Sequence, residues 1–518
     1  MRRIWIGCVA LLAAFAGVAH AQSGLYDAVL QDGTRIAAEG EAAPGGGTYL
    51  LFSNVHAADS GDVAFQASVS GSSSGVFHIS GGVPAAVARQ GQAAPSASVG
   101  GVYLVFNSLD LNDVDSVAFN SRIDNLLAIP DSTAVFLNTG GVTTLLAEQG
   151  QPAPGTPMPG YNYFIPGPPA INDGDSVAFR STLLDVFAQP HEGVFLATGG
   201  VVAPVVLETD TAPIGGTYGT FSSTVDLDDA GRVWFQNSAA IFVSDAGVET
   251  AVVQSGDATP AGGTFGTLGA FSVDEAGQLA FQAQVIGGSA ASGIFLRAAG
   301  GGITALALQG GAAPGTGGGI FSILTVPEAR PSLNDGGDAT FFSNVVPVVP
   351  GGTLGGIFRV PAGGSVAAVA VRDAAVPSHP TSFYKAFSPP EIDDDGLTAY
   401  RAQLFADTDD DADGYVVSQD NCSLIANSSQ CDTDIDGYGN HCDGDFDNNG
   451  AVGAVDFNTR FVPDFKNGAD LPPLDGTDMD CNSQVNAVDF NTRFVPQFKA
   501  GKPGPSGLSC AGTVPCDL

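Results

Sequence analysis

The apolar positions of this chain fall into short segments that recur. A segment of five residues ending in an aromatic side chain occurs seven times, at Gly61–Phe65, Asp115–Phe119, Asp175–Phe179, Gly231–Phe235, Gly277–Phe281, Gly337–Phe341 and Gly396–Tyr400. Successive aromatic residues are 46 to 60 positions apart. Each copy follows a turn rich in Asn, Asp and Gly, residue types that tolerate a positive φ. The pattern predicts a repeated β-hairpin.

Each repeat contains further apolar segments. About a dozen residues after the first strand comes a second, at Gly75–Phe77, Ala134–Phe136, Gly193–Phe195, Ala240–Phe242, Gly293–Phe295 and Gly356–Phe358. A third strand leads to a turn marked by proline, and a fourth carries aromatic residues such as Tyr49 and Phe265. Seven copies of four short strands indicate a radial or stacked β-repeat.

The phase of the repeat favours a closed ring. The segment Leu25–Val29 corresponds to the later part of a repeat without its preceding Phe strand. The last repeat ends just after Tyr400, before its second strand. The two ends therefore make one composite unit, and pairing them removes exposed strand edges. We predict an all-β fold, a seven-bladed β-propeller over residues 22–405. The alternative is an open β-solenoid, but a repeat of this length is long for a solenoid rung, and polar caps are not evident.

The turns and strands also resemble a bacterial tandem-repeat family with the pattern N-x-x-G-x-x-A-F. Asn334–Phe341 and Asp274–Phe281 show this pattern, while several copies deviate at the Asn, Gly or Ala position. Members of that family are secreted or surface-exposed and share no agreed activity. The resemblance therefore implies an extracellular location and leaves the chemistry open.

The first 21 residues have the three parts of a secretory signal peptide. Arg2 and Arg3 precede the apolar run Ile4–Val18, and Ala19–Ala21 supplies an A-x-A cleavage site. The run is shorter than the ~20 residues that span a bilayer, and no later segment is long enough. We expect cleavage after Ala21 and a secreted protein, extracellular or at the cell surface, without a membrane span.

The charge composition limits the kinds of partner that the protein can bind. The chain has 54 Asp and Glu against 18 Lys and Arg, a formal net charge of −36. Such a protein repels phosphate and anionic lipid, which argues against nucleic acid and favours cations. Hydrophobic residues make up 44% of the chain, enough for a sizeable core, so a disordered polyacid is excluded.

The repeats offer no catalytic motif. H-E-x-x-H, G-x-S-x-G and phosphate-loop patterns are absent from the sequence, and its histidines fall at unrelated repeat positions. The turn acids Asp113, Asp173 and Asp335 can bind calcium or act as paired carboxylates, but acids at such positions more often cap hairpin turns. The sequence therefore names no catalytic residue and no organic cofactor.

The segment from Asp407 to Leu518 holds 20 Asp, no Glu and 5 Lys or Arg. Four windows of twelve residues place oxygen ligands at positions 1, 3, 5, 7 and 12 of a calcium loop, position 7 through its backbone carbonyl. The ligands are Asp409, Asp411, Asp413, Tyr415 and Asp420; Asp432, Asp434, Asp436, Tyr438 and Asp443; Asp445, Asp447, Asn449, Ala451 and Asp456; and Asp478, Asp480, Asn482, Gln484 and Asp489.

Four such loops in register indicate calcium rather than an acidic spacer. Many carboxylates in flexible loops suit calcium better than magnesium. Position 6 is glycine in the first three loops, which allows a sharp turn. The fourth loop has Ser483 there, so we expect it to be strained or weaker.

Residues 406–444 resemble a thrombospondin type 3 repeat. Asp420–Cys422, Asn427, Gln430 and Asp432–Asp443 reproduce that family's run of residues. The family wraps calcium ions with almost no apolar core, and the resemblance implies a disulfide between Cys422 and Cys442. Cys431 departs from the family pattern.

Residues 445–500 resemble a type I dockerin, a duplicated calcium loop and helix. Ala454–Pro463 recurs without change as Ala487–Pro496. In each copy two phenylalanines four residues apart share one helix face, and the proline is expected to end or kink the helix. One interpretation is a calcium-stapled domain whose two phenylalanine faces pack on each other.

The dockerin resemblance also implies a partner. Dockerins bind cohesins through loop positions 10 and 11, which here are Ala454–Val455 and Ala487–Val488 rather than the usual Ser-Thr. A cohesin-like or cell-surface protein is therefore a candidate partner.

Residues 501–518 form a C-terminal extension that contains Cys510 and Cys516. After the signal peptide the chain has six cysteines, all in the last hundred or so residues, which indicates a disulfide framework in an oxidising compartment. The pairing of the six is left open by the sequence.

Three functions are compatible with these features of the sequence. The first is a secreted, non-enzymatic binding or scaffold protein whose calcium-loaded tail is a spacer and attachment element. The second is an extracellular enzyme acting on polysaccharide, a hydrolase or lyase, with its site on the propeller face. The third is surface adhesion alone. A polysaccharide is a candidate ligand in the first two.

Overall fold

The computed structural model describes residues 24–516, with gaps at 59, 72, 96–100, 126–130, 158–159, 323, 325–329, 348–353, 378, 407–410, 473 and 509. The predicted signal peptide lies outside the described residues. Two compact units are present, residues 26–404 and residues 405–518. Among the described residues, no helix is both long and apolar enough to cross a membrane.

The larger unit consists of short antiparallel strands. In chain order the first strands are β1 (Gly24–Gln31), β2 (Thr34–Ala38), β3 (Tyr49–Ala57), β4 (Val63–Val69), β5 (Ser73–Ser80), β6 (Val83–Arg89), β7 (Gly101–Leu111), β8 (Val117–Asn125), β9 (Ser132–Thr139), β10 (Val142–Glu148), β11 (Pro152–Ala153), β12 (Tyr161–Ile171), β13 (Val177–Leu184), β14 (Pro190–Thr198) and β15 (Val201–Leu207). The later blades contain β16 (Phe221–Leu227), β17 (Val233–Asn237), β18 (Ala240–Asp245), β19 (Val248–Gln254), β20 (Thr264–Val273), β21 (Leu279–Ile286), β22 (Ser292–Arg297), β23 (Ile303–Leu308), β24 (Ile320–Phe321), β25 (Ser332–Leu333), β26 (Ala339–Val346), β27 (Leu354–Val360), β28 (Ala367–Val371), β29 (Ala375–Val376), β30 (His379–Phe387), β31 (Glu391–Ile392) and β32 (Thr398–Ala406).

These strands form seven sheets within the described part of the chain, the blades of a β-propeller. Blade 1 is β3–β6, blade 2 is β7–β10, blade 3 is β11–β15, blade 4 is β16–β19, blade 5 is β20–β23 and blade 6 is β24–β28. Blade 7 joins the two ends of the repeat region in the order β2-β1-β32-β30-β29, with β31 paired to β32. The predicted all-β propeller fold and its composite seventh unit are confirmed.

Hydrogen bonds connect the β1 and β32 regions, which close the ring. The guanidinium of Arg401 on β32 donates two hydrogen bonds of 3.0 Å to the carboxylate of Asp27 on β1. Asp27 is 2% exposed, so this pair is largely removed from water. The backbone N–H of Asp32 also donates to Thr398 O at 2.9 Å. The ring is therefore closed by side chains as well as by strand pairing.

The aromatic residues of the repeat form the core of each blade. The ends of the two recurring segments lie opposite each other in register, for example Phe65 with Phe77, and these rings stack 5.8 Å apart. Tyr49 meets Phe77 edge-on at 5.1 Å. All three side chains are at most 2% exposed. The repeated aromatic positions therefore encode one buried ring cluster per blade, which explains their spacing.

Two similar helices dominate the regular structure of residues 405–518, which also include a 3-10 turn at Val417–Gln419. A π-helical turn at Asp456–Phe461 continues into α1 (Val462–Asn467), and another at Asp489–Phe494 continues into α2 (Val495–Ala500). The two copies pack through their phenylalanines, as one interpretation of the sequence expected, with Phe461 and Phe494 stacked at 5.1 Å.

The sequence predicted that Pro463 and Pro496 end or kink these helices, and the structure shows that they do not end them. Each proline lies in the first turn of its α-helical segment, and the helices continue to Asn467 and Ala500. A proline ring normally clashes with the carbonyl four residues earlier. Here the preceding turn is π-helical, with Val462 N–H bonded to Phe457 O five residues back. This wider turn accommodates the ring.

Three disulfides cross-link the smaller unit. Cys422 pairs with Cys442, the pairing that the thrombospondin type 3 resemblance implied. Cys431, the cysteine that departs from that pattern, pairs with Cys481 fifty residues later, and Cys510 pairs with Cys516. The Cys431–Cys481 disulfide connects the residue before the second predicted calcium loop to the interior of the fourth loop.

Candidate functional site

The third predicted calcium loop is organised by its own backbone. The carboxylate of Asp445 accepts hydrogen bonds from Asn449 N at 3.1 Å and Gly450 N at 2.6 Å. Asp456 accepts from Asp447 N at 3.2 Å and Gly453 N at 2.7 Å. One carboxylate oxygen from each of Asp445, Asp447 and Asp456 lies within 4.8 Å of the other two.

The fourth loop repeats this arrangement almost bond for bond. Asp478 accepts from Asn482 N at 3.1 Å and Ser483 N at 2.6 Å. Asp489 accepts from Asp480 N at 3.1 Å. Ser483 has φ of +70°, a left-handed conformation that costs a non-glycine residue, so the backbone strain expected at this position is present.

The first two loops gather carboxylates in the same way. Asp411, Asp413 and Asp420 bring one oxygen each within 4.8 Å, as do Asp432, Asp434 and Asp436. Asp409 lies outside the described residues. The side chain of Asp443 is buried next to this second group, 2% exposed.

The remaining predicted ligands lie in the same loops, where Tyr415 N and Tyr438 N donate hydrogen bonds to Asp413 and Asp436. Tyr415, Ala451, Asn482 and Gln484 are exposed, and Tyr438 is half-buried. The side chain of Asn449 donates to a carboxylate oxygen of Asp447. Their expected contributions stay predictions.

The electrostatics of the loops fit a bound cation. Burial, assisted by neighbouring carboxylates, raises the pKa of Asp434 to about 6 and that of Asp436 to about 7. Asp480 Oδ1 is buried and has no hydrogen-bond partner in the described part of the chain. Carboxylates held together in this way repel each other, and a divalent cation would offset that repulsion.

A second polar site lies in the propeller, at the turns that follow the innermost strands. Asn172 Oδ1 accepts from Ser176 N at 3.0 Å and thereby closes its own turn. Its Nδ2 donates to Asp228 O in the next blade at 3.0 Å. Asn112 and Asn334 make the same pair of bonds. The motif asparagine thus fixes the turn and joins neighbouring blades.

The acid that follows this position faces the channel, and its carboxylate caps a turn in the neighbouring blade. Asp173 Oδ1 accepts from Asp113 N at 2.8 Å, and Asp335 Oδ1 accepts from Glu275 N at 2.9 Å. The sequence expected these acids to cap turns, and it did not identify the cross-blade pairing. The described acids of this ring, hereafter the acid ring, are Asp113, Asp173, Asp229, Glu275, Asp335 and Asp394.

The acid ring surrounds a cavity of about 150 Å³. Deeper in the cavity, the His56 ring lies 3.0 Å from the Asp110 carboxylate, and Arg330 lies 2.7 Å from that of Asp226. Burial raises the pKa of Asp226 to about 6 although Arg330 opposes this. Sequence reasoning missed these four residues. The signal available for His56, Asp110 and Asp226 was their shared position two residues before the first residue of the repeated turn, which is Ala58, Asn112 and Asp228.

Several solved structures of low sequence identity are similar to part of this chain. The β-propeller domain of the trilobed protease from Pyrococcus furiosus is 8% identical, with a TM-score of 0.37 over 67% of this chain and 95% of that one. Oligogalacturonate lyase from Vibrio parahaemolyticus is 8% identical, with a TM-score of 0.40 over 68% and 88%.

Acylaminoacyl peptidase from Pyrococcus horikoshii is 8% identical, with a TM-score of 0.36 over 62% of this chain. The chain spans 45% of that peptidase. These similarities concern the fold alone. The comparison with curated proteins gave no match.

One family model matches the sequence. A family of unknown function, DUF7453, matches residues 6–155 and 123–433, two overlapping stretches that follow one another along the chain. Together they cover well over half of the sequence, and the chain belongs to this family.

Proposed function

We propose that this protein is a secreted binding or scaffold protein, with a propeller that presents the binding surface and a tail that folds around calcium. The observation that carries the proposal is the convergence of Asp carboxylates in the tail loops. Oxygens within 4.8 Å of one another can be bridged by Ca–O bonds of about 2.3–2.6 Å. Three disulfides in the same segment fit an oxidising, extracellular compartment.

Calcium would stabilise the tail through the third and fourth loops in particular. The apolar core of this unit is small, centred on Phe446, Phe461, Met479 and Phe494. When a core is small and the ligands converge only in the folded state, metal-binding energy becomes folding energy. Binding at 1,000 times Kd would contribute about 4 kcal/mol per site.

Calorimetry of the full chain tests this proposal. With calcium we expect separate transitions for propeller and tail, and with EGTA the tail transition should move to lower temperature or disappear. The double variant Asp445→Asn/Asp456→Asn should weaken the calcium effect, while Asp245→Asn, an exposed propeller acid, serves as control. One calcium-independent transition for the whole chain would contradict the proposal.

The tail also carries a surface suited to attachment. Val455 and Val488, at the loop positions that dockerins use, are 53% and 47% exposed, and the alanines before them are exposed as well. We infer that this apolar surface contacts a cohesin-like or cell-surface protein. Because the loops position it, binding should require calcium.

Immobilised cohesin domains provide a direct test of this attachment surface. Val455→Asp/Val488→Asp should reduce calcium-dependent binding at least tenfold, whereas Val142→Asp, at a propeller valine that is 69% exposed, should leave it unchanged. Absence of binding at saturating calcium would remove the cohesin-like partner from the proposal and leave cell-surface proteins to be tested by release of the protein from cells with EGTA.

A second candidate function is an enzyme that cleaves polysaccharide. It is favoured by one observation, the convergence of carboxylates around the propeller cavity, since glycoside cleavage by hydrolases commonly uses two carboxyl groups. Incubation with acidic and neutral polysaccharides should then release reducing ends or unsaturated uronates, and Glu275→Gln should abolish the release. No product from any substrate would count against the enzyme.

A further inference from the structure

The acid ring lines a cavity whose described lining holds more acidic side chains than basic ones. Among the described residues, no Lys, Arg or His lies within ion-pair distance of Asp173, Asp229, Glu275 or Asp335. The two cations nearest the cavity, His56 and Arg330, are paired with acids deeper in the channel. The ring therefore concentrates negative charge at one place on the propeller.

Three of these carboxylates are close enough to share one ion. Single oxygens of Asp113, Asp173 and Glu275 all lie within 4.8 Å of one another. Two Ca–O bonds of about 2.3–2.6 Å span such a separation, whereas the shorter Mg–O bonds of about 2.1 Å reach it only when the oxygens are closer. The donor set consists of hard oxygen atoms, which suits calcium.

An independent observation also points to a ligand in this cavity. Ser272 lines the cavity and is 3% exposed, and its Oγ is buried without a hydrogen-bond partner in the described part of the chain. A buried polar group without a partner is costly unless water or a ligand satisfies it. The cavity of about 150 Å³ has room for an ion with several waters, each of about 30 Å³.

We propose that the propeller binds one calcium ion at the acid ring, separate from the ions of the tail. Asp113, Asp173 and Glu275 supply the carboxylate ligands, and Ser272 hydrogen-bonds to a water on the ion. These acids belong to blades 2, 3 and 5. The ion cross-links blades that are distant in sequence, so it both neutralises the ring and stabilises the closed propeller.

Counting bound calcium tests the site in the full chain. Equilibrium dialysis should show one ion fewer per molecule for Asp173→Asn/Glu275→Gln than for the unmodified protein. The Asn side chain still offers Oδ1 to the Asp113 N–H, which keeps the turn intact. Asp245→Asn should lose no ion, and Asp445→Asn/Asp456→Asn should lose only tail calcium. Equal stoichiometry in the channel variant and the unmodified protein would overturn the proposal.

Terbium luminescence gives a second readout that does not depend on the tail. Trp234 is the only tryptophan after residue 5. Its Nε1 donates to Asp228, the neighbour of Asp229 in the acid ring, at 2.9 Å. Excitation at the red edge of the tryptophan band should sensitise Tb³⁺ bound in the channel, and the emission should be lost in Trp234→Phe and in Asp173→Asn/Glu275→Gln.

The terbium experiment distinguishes failure of the proposed channel site from failure of the proposed calcium loops in the tail. Emission that persists in the tail variant Asp445→Asn/Asp456→Asn supports the channel site even if the tail binds no calcium. Tryptophan-sensitised emission that is absent from the unmodified protein, or that survives in a folded channel variant, would overturn the channel site while leaving the tail proposal intact.

Discussion

At the scale of single residues, the first position of the repeated turn has two separable functions. Its Oδ1 closes the turn, and an Asp can do this as well, since Asp228 Oδ1 accepts from Arg232 N at 2.9 Å. Only an Asn can also donate to the next blade. At Asp228 the second carboxylate oxygen instead accepts from Trp234 Nε1 and Arg232 Nε. Where Asp228 replaces the motif Asn, the hydrogen bond to the next blade is therefore replaced by hydrogen bonds from Trp234 and Arg232.

Replacing Asn172 tests this division. Asn172→Ala leaves the Ser176 N–H without its partner in a buried place and removes one of the two hydrogen bonds to the Asp228 carbonyl, which still accepts from Gly231 N, so it should lower the free energy of unfolding by about 2–4 kcal/mol. Asn172→Asp keeps the turn acceptor, and at a pH low enough to protonate the new carboxyl it should cost less, about 1 kcal/mol. Urea unfolding followed by Trp234 fluorescence measures both. Equal losses in the two variants would contradict the separation of functions.

The acid ring also predicts a pH dependence. Burial, followed by the negative charge of Asp335, raises the pKa of Glu275 from 4.5 to about 8. Between these values the folded state binds more protons than the unfolded chain, so stability is highest below pH 4.5 for this group and falls as pH rises towards 8. Thermal unfolding in EGTA, followed by Trp234 fluorescence, should show this decline.

Glu275→Gln is the matched variant for that measurement, because it keeps the size of the side chain and removes the titration. Its unfolding temperature should vary less with pH over the same range than that of the unmodified protein. An identical pH dependence in both proteins would assign the effect to other groups, such as Asp226.

At the scale of the strands, ring closure depends on the contact between β1 and β32. Arg401→Ala would leave Asp27 as an unpaired charge in a buried place, and removing one partner of such a pair costs about 3–5 kcal/mol. The control is Arg122→Ala, which removes an exposed ion pair with Asp131 and should cost under about 1 kcal/mol. Urea unfolding of the propeller compares them, and similar losses would contradict a special role for the closing strands.

The strands were predictable because the aromatic residues that form the buried cluster of each blade recur at equivalent positions in every repeat. The recurring segments that end in phenylalanine fix the register, as the pairing of Phe65 with Phe77 illustrates. The channel was less predictable, because His56, Asp110 and Asp226 become neighbours only when the ring closes. The π-helical turns were not predictable either, since proline rules assume an α-helical turn before Pro463.

At the scale of the whole molecule, the chain combines two ways of holding a fold together. The propeller has no cysteine and relies on apolar packing in every blade. In its described residues, the other unit has one small core, three disulfides and the proposed calcium loops. Several of the carboxylates that contribute to the net charge of −36 lie within 4.8 Å of one another. The stability of the two units should therefore respond to different conditions.

Limited proteolysis can separate these contributions. In EGTA the tail should be cut within residues 405–518, while fragments covering residues 26–404 persist. Disulfides restrict the unfolded tail, most of all Cys431–Cys481, so a reductant added with EGTA should speed the digestion further, and a reductant with calcium should have a smaller effect. Mass spectrometry identifies the fragments, and Cys431→Ser/Cys481→Ser should mimic the reductant. Loss of propeller and tail at the same rate in EGTA would show that the two units do not unfold independently.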